Sequence, residues 1–209
     1  MTEIQQSLAS ILLLMALVLA SLDASSNPFA ELEQQILDSE GFSLEFEINS
    51  EGAVNSSLHG RLALCRGNKI MIQSSGELFG EQVNNTLQSD GQVMNLNRKQ
   101  QDLPPNLNEA VIIGLLRMGL LHNLARLSGN LVPDHASGGV ADWVRVPVVG
   151  ENHEKLFFDI MVGGNRAGRA ELVLTDNGLP FARVQTVYFG SEEMKVTERY
   201  KDFSLSCRL

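Results

Sequence analysis

Gly41-Phe42-Ser43-Leu44-Glu45-Phe46-Glu47-Ile48-Asn49 sets four large apolar side chains in strict alternation with Ser43, Glu45, Glu47 and Asn49. Successive side chains of an extended chain point to opposite faces, so this period of two predicts a strand with one oily side and one wet side. The segments that follow keep the pattern. Leu58, Leu62 and Leu64 predict a second strand, Arg66-Gly67-Asn68-Lys69 has hairpin composition, and Ile70-Met71-Ile72 returns as a third. Gly80 and then Ser89-Asp90-Gly91 punctuate further strands around 83–87 and 93–96, so the first half reads as an antiparallel meander.

Working outward, residues 29–39 (FAELEQQILDS) place Phe29, Leu32, Ile36 and Leu37 on one helical stripe with Glu31, Glu33 and Gln34 opposite, and Asn27 before Pro28 supplies the cap. Upstream, residues 8–20 (LASILLLMALVLA) are uniformly apolar or small. The run is shorter than the ~20 residues of a bilayer span and suits the core of a signal peptide. Residues 1–24 therefore read as an export leader and 27–209 as a single domain. Glu3 and the lack of Lys or Arg before the run depart from an ordinary signal peptide, which leaves a non-standard leader or an uncleaved anchor as alternatives. No cysteine follows the run, which argues against a lipid-anchored lipoprotein.

Downstream, residues 107–127 predict one long helix, stopped by Gly129. Val111, Ile112, Ile113, Leu115, Leu116, Met118, Leu120, Leu121 and Leu124 cover more than one of its faces, and a helix apolar nearly all round must be buried. Arg117, His122 and Arg126 interrupt it, and a charge near mid-bilayer costs about 2.5–3.5 kcal/mol, so burial in protein is the better reading. Strands resume around 143–149, 156–162, 169–175, 181–189 and 194–205, with turns at Gly163-Gly164-Asn165, Asp176-Asn177-Gly178 and Gly190-Ser191. A sheet this long curls because each strand twists on its neighbour, and its hollow can cover a wholly apolar helix. The expected fold is α+β: a strongly curved antiparallel sheet, an incomplete β-barrel, closed by apolar helices.

Composition narrows the function classes. Sixteen Lys+Arg against 25 Asp+Glu give a net charge of −9 over 209 residues, which repels nucleic acid. Hydrophobic residues at 44% and charged residues at 20% are those of a packed soluble body. Cys65 and Cys207 lack metal-binding spacing and leave two readings, one long-range disulfide in an exported chain or two buried thiols. His59, His122, His135 and His153 form no zinc motif, and 163–168 is glycine-rich but lies between strands rather than before a helix. Asp134-His135 is half of an acid–base site without a nucleophile, and Glu45 with Glu47 reads as a solvated strand face. Nothing in the chain demands an enzyme, a cofactor or a metal.

Gly60-Arg61-Leu62-Ala63-Leu64-Cys65-Arg66-Gly67-Asn68, followed by Ser89-Asp90-Gly91 before a short strand, resembles the LolA-like superfamily of periplasmic lipoprotein carriers, in which a glycine-led strand ends in Arg-Pro-Asn and a Ser-Asp-Gly turn follows. The segment 168–203, with Asp176-Asn177-Gly178-Leu179-Pro180 between strands, is similar to the closing strands of the same superfamily, so the resemblance covers 29–205. It implies an incomplete barrel whose interior receives acyl chains of lipoproteins or lipids. It further implies a monomeric periplasmic chaperone that transports them from an inner-membrane donor to an outer-membrane acceptor during outer-membrane biogenesis. A non-enzymatic envelope-sensing or assembly module on the same fold is the alternative. Arg66 matches the arginine that latches the carrier's helical lid, against the simpler reading of a hairpin-end arginine facing solvent; Gly67 replaces the family's proline. Inward alternation then nominates Phe42, Leu44, Phe46, Leu62, Leu64, Ile70, Ile72, Trp143, Phe158 and Ile160 as cavity lining, with Leu115, Met118 and Leu121 on the lid helix. Each lining residue has ordinary core as its plainer reading.

Overall fold

The alternating segment becomes β1 (Gly41–Gly52), which pairs antiparallel with β2 (Ser56–Cys65) on one side and β12 (Glu192–Ser204) on the other. The structure, a computed structural model, describes residues 27–127, 144–152 and 154–209. The leader, Asp134-His135, Trp143 and His153 lie outside the described residues. Phe42 stands opposite Leu64, Leu44 opposite Leu62 and Ile48 opposite Leu58; Leu62 and Leu64 in turn face Ile72 and Ile70 of β3 (Lys69–Leu78). Directly opposed residues share a face, so the register gathers these apolar groups on one side of the sheet.

The meander continues through β4 (Glu81–Asp90), β5 (Met94–Leu96) and the polar β6 (Lys99–Gln101), a strand that periodicity does not signal and that forms by backbone pairing to β5. The second half supplies β7 (Val144–Arg145), β8 (Val148–Asn152), β9 (Lys155–Val162), β10 (Asn165–Leu174) and β11 (Pro180–Phe189). The expected strand over 143–149 is thus two strands in the described part, divided at Val146-Pro147, where proline has no N–H for a ladder. The 12-stranded antiparallel sheet runs β6-β5-β4-β3-β2-β1-β12-β11-β10-β9-β7, with β8 also on β9, and it is not closed into a barrel. With the helices on its apolar face, the fold is the expected α+β class.

Helix α1 (Pro28–Asp38) is capped by Asn27, whose Oδ1 accepts the N–H groups of Phe29 and Ala30 at 3.2 and 3.3 Å. It buries Phe29, Leu32 and Ile36, with the Phe29 ring edge-on to Phe158 at 4.8 Å. Glu33, placed by periodicity on the wet face, is buried instead. Its carboxylate takes a two-pronged ion pair from Arg117, at 2.8 Å from Nε and 2.6 Å from Nη2.

The segment 107–127 is not one helix. It divides into α2 (Leu107–Met118) and α3 (Leu120–Leu127) at Gly119, whose φ of +89° lies outside helical backbone. Val111, Ile112, Ile113, Leu115 and Leu116 of α2 are all buried, as an all-round apolar helix requires. Among the described residues no helix is long and apolar enough to cross a membrane. Cys65 and Cys207 are joined by a disulfide with Cα atoms 5.1 Å apart, tying the segment after β12 across β1 to the end of β2.

Candidate functional site

Four side chains of β11 and β12 explain the helix break. Arg183, Gln185, Glu198 and Tyr200 occupy the buried rows of their strands, and Arg183 and Glu198 are cross-strand partners, each 0% exposed. A helix that stops leaves carbonyls without partners and one that starts leaves N–H groups without partners. At Gly119 both kinds of orphan meet. Arg183 donates from Nη1 to Leu116 O at 2.6 Å and from Nη2 to Arg117 O at 3.0 Å, and Gln185 Nε2 donates to Met118 O at 3.1 Å. Across the break, the Glu198 carboxylate accepts the N–H groups of Leu120 and Leu121, both at 2.9 Å. The cation thus sits at the negative end of α2 and the anion at the positive start of α3, the arrangement helix dipoles favour.

The cluster closes on itself. Arg183 Nε donates to Gln185 Oε1 at 2.6 Å, the Tyr200 hydroxyl donates to Glu198 Oε2, and the guanidinium lies 5.2 Å from the Phe158 ring centroid. Burial pushes the Arg183 pKa below its ordinary value, against the raising effect of Tyr200 and the Glu198 charge. Burial, then the neighbouring Glu198 charge, holds the Tyr200 phenol well above its ordinary 10.0. A buried charge is tolerated only when its hydrogen bonds are made, and here they are made to the two helix ends. This is a clamp that fixes where α2 ends and α3 begins.

Beside the clamp lies a cavity of about 570 Å³, within the roughly 300–1,000 Å³ common for small-molecule sites. Met118, Leu121 and Ala125 form its helical wall; Ile160, Val162, Val187 and Met194 form its sheet wall; Val54 and Phe79 stand with them in the lining. The polar side chains there are His122, Gln185 and Tyr188. Met118 and Gln185 belong to both cavity and clamp, so the position of the break shapes the wall. A wider cleft of about 910 Å³ between α1 and the β9–β10 turn is lined by Phe29, Val146, Pro147 and Met161 but also by Glu33, Arg117 and Arg145, whose charges make it a poorer host for hydrocarbon. Chemistry rather than size selects the first.

Among the residues nominated from sequence, Ile160, Met118 and Leu121 line this cavity. Phe42, Leu44, Phe46, Leu62, Leu64, Ile70, Ile72 and Phe158 do not line it. They are packed at 0–3% exposure in the core, in one buried cluster with Phe29, Leu32 and Ile36 of α1 and Val111, Ile112, Ile113 and Leu116 of α2. Leu115 is likewise core. Arg66 reaches neither α2 nor α3. It donates from Nη2 to Asp38 O at 2.8 Å and from Nε to Ser39 O at 3.3 Å, at the C-terminus of α1, and pairs with Glu40 at 2.9 Å. Both side chains of that pair are more than half exposed, at 59% and 74%, so the pair contributes at most about 1 kcal/mol. The hairpin's hold on α2 comes instead from Asn68, whose Oδ1 accepts Asn108 N–H and whose Nδ2 donates to Pro105 O, each at 3.2 Å. Asn108 Nδ2 adds a bond to Cys65 O at 2.8 Å.

Sequence reasoning missed the clamp. Its signal was present in the chain: Glu198 interrupts the inward row Met194, Val196, Tyr200, and Arg183 faces it on the next strand.

No protein-family model and no curated protein matches the sequence. Solved structures do. The LolA superfamily protein NE2245 from Nitrosomonas europaea is similar over 87% of this chain and 93% of its own, at 7% identity and a TM-score of 0.36. MucB is 13% identical with a TM-score of 0.37 over 88% of this chain, which spans 58% of the MucB chain. A beta-barrel-like protein of the DUF1849 domain from Brucella abortus is 10% identical with a TM-score of 0.26, over 80% of this chain and 98% of that one. The match to LolA-like proteins is one of fold only.

Proposed function

We propose that the protein is a non-enzymatic carrier that shields the acyl chain of a lipid or lipoprotein in the cavity beside the helix break and passes it on across the cell envelope. The observation that carries this reading is the cavity's lining: of the side chains around about 570 Å³, all but His122, Gln185 and Tyr188 are apolar. Hydrocarbon moved from water into such a space gains about 0.8 kcal/mol per methylene, whereas a polar metabolite would lose its water for few partners. The Cys65–Cys207 disulfide and the apolar run at 8–20 support an oxidising, exported location, for which the periplasm is the proposed compartment. Donor and acceptor membranes then lie on either side of the carrier.

Release has to oppose the hydrophobic gain. The clamp offers the means, since any ligand that presses on Met118 or Leu121 presses on backbone held by Gln185 and Glu198. A bound chain that strains those bonds is held less tightly than its buried area alone would give.

The test is incubation with a bacterial lipid extract, repurification, and mass spectrometry of what remains bound. Acyl-bearing species near one per protein are expected in the wild type and are reduced in Val187→Trp, which fills the sheet wall. A wild type that returns free of lipid sinks the proposal, and stable protein partners captured without lipid would favour the sensing or assembly module instead.

A further inference from the structure

The turn between β3 and β4 is two residues long, Phe79-Gly80, closed by Leu78 opposite Glu81. Both turn residues have positive φ, +54° at Phe79 and +82° at Gly80. Two-residue hairpin turns of this hand match the twist of their strands, and the residues that suit them are Asn-Gly, Asp-Gly and Gly-Gly. A bulky aromatic there is a backbone outlier. Of the five non-glycine residues with positive φ among those described, Asn68, Asn97 and Asp202 are of the kinds that tolerate it, whereas Phe79 and the exposed Arg98 are not, and of these two only Phe79 lines the cavity. The tip is nonetheless firmly seated, because Phe79 N–H donates to Oγ of the buried Ser56 at 3.2 Å. That bond docks it beside the β1–β2 turn, whose Val54 lines the same cavity.

The turn does not need the ring, and Phe79 as a residue is 39% exposed, yet it lines the apolar cavity. We infer that Phe79 is the lip of the cavity, a ligand-contacting residue whose ring packs along the part of an apolar chain nearest the opening and keeps water from it. The inference rests on the reading of the cavity as an acyl-chain site, and it adds where the chain is gripped and which residue grips it. Strained backbone costs about 1–3 kcal/mol and clusters at ligand-contacting sites, and here it coincides with a cavity-lining ring.

The experiment is a fluorescence titration of a dansylated undecanoic acid into wild type, Phe79→Asn and Phe79→Leu, with thermal unfolding of each ligand-free protein. Asn suits the turn and removes the ring, so affinity falls about tenfold while the ligand-free Tm is unchanged or higher. Leu restores apolar bulk and recovers most of the affinity. Binding within about twofold of wild type in Phe79→Asn overturns the inference, as does a ligand-free Tm lowered in step with affinity, which would make the ring a support of the fold. A wild type that binds no probe removes the acyl-chain reading itself and Phe79's part with it; a wild type that binds while Phe79→Asn binds equally well removes the inference alone.

Discussion

Glu198 is a carboxylate taken out of water, and what makes it tolerable is the number of donors it meets: two backbone N–H groups and the Tyr200 hydroxyl. The same contacts set the titration of Tyr200. Its ionised form would be buried and would face the Glu198 charge, so the folded state holds the phenol neutral well above the ordinary 10.0. In the unfolded chain that phenol ionises near its ordinary value. The raised pKa therefore contributes stability that is complete below about pH 10 and is lost as pH rises through the folded value. Thermal unfolding between pH 9 and 11 is expected to show a steeper loss of Tm in wild type than in Tyr200→Phe, although the variant starts lower because Glu198 has lost a donor. Equal slopes would show that Tyr200 does not titrate differently on folding. The other tyrosine, Tyr188, is retained in both proteins and cancels from the comparison.

At the scale of elements, Gly119 decides the most. Its φ of +89° is one that L side chains rarely adopt, and a Cβ built there would lie 2.9 Å from Glu198 Oε1 and 3.3 Å from Arg183 Nε. Gly119→Ala is expected to cost about 1–3 kcal/mol in urea denaturation, from backbone strain and displacement of the clamp. A loss below about 0.5 kcal/mol would mean that the break is held by something other than the clamp. The break was hidden in the sequence for a physical reason. Where every face of a segment is apolar, periodicity carries no phase, and a lone glycine reads as one more small buried residue. β1 was legible because it has one wet side: Glu45 and Glu47 fix the face of Phe42 to Ile48 with no reference to anything else. The cavity was legible only in part. Alternation places Phe42, Leu64 and Ile160 on the same side of the sheet, but whether the space above each is helix or void depends on where α1 and α2 lie. Glu33 failed similarly, since its partner Arg117 lies 84 residues away.

For the whole molecule, the strands have a fastened end and an open end. At the β2–β3 hairpin, Cys65 is bonded to Cys207, Arg66 holds the C-terminus of α1, and Asn68 holds the start of α2. At the other end of the same strands stand Ser56, which seats Phe79, and the cavity. Ser56 and Cys65 bound a ten-residue strand, so the two ends are separated by roughly 30 Å at about 3.3 Å per residue. A covalent tie over 142 residues restricts the unfolded chain strongly, and its loss is expected to lower stability by about 2–5 kcal/mol. That loss belongs to the fastened end. The Cys65→Ser, Cys207→Ser double variant is therefore expected to unfold at lower urea with a steeper slope, because its unfolded chain is less compact, yet to bind a dansylated undecanoic acid as wild type does at temperatures where both are folded. If the double variant is folded but binds more weakly, the disulfide end and the cavity are coupled through the strands or α2. The fastening would then help set the cavity's shape as well as the stability of the sheet.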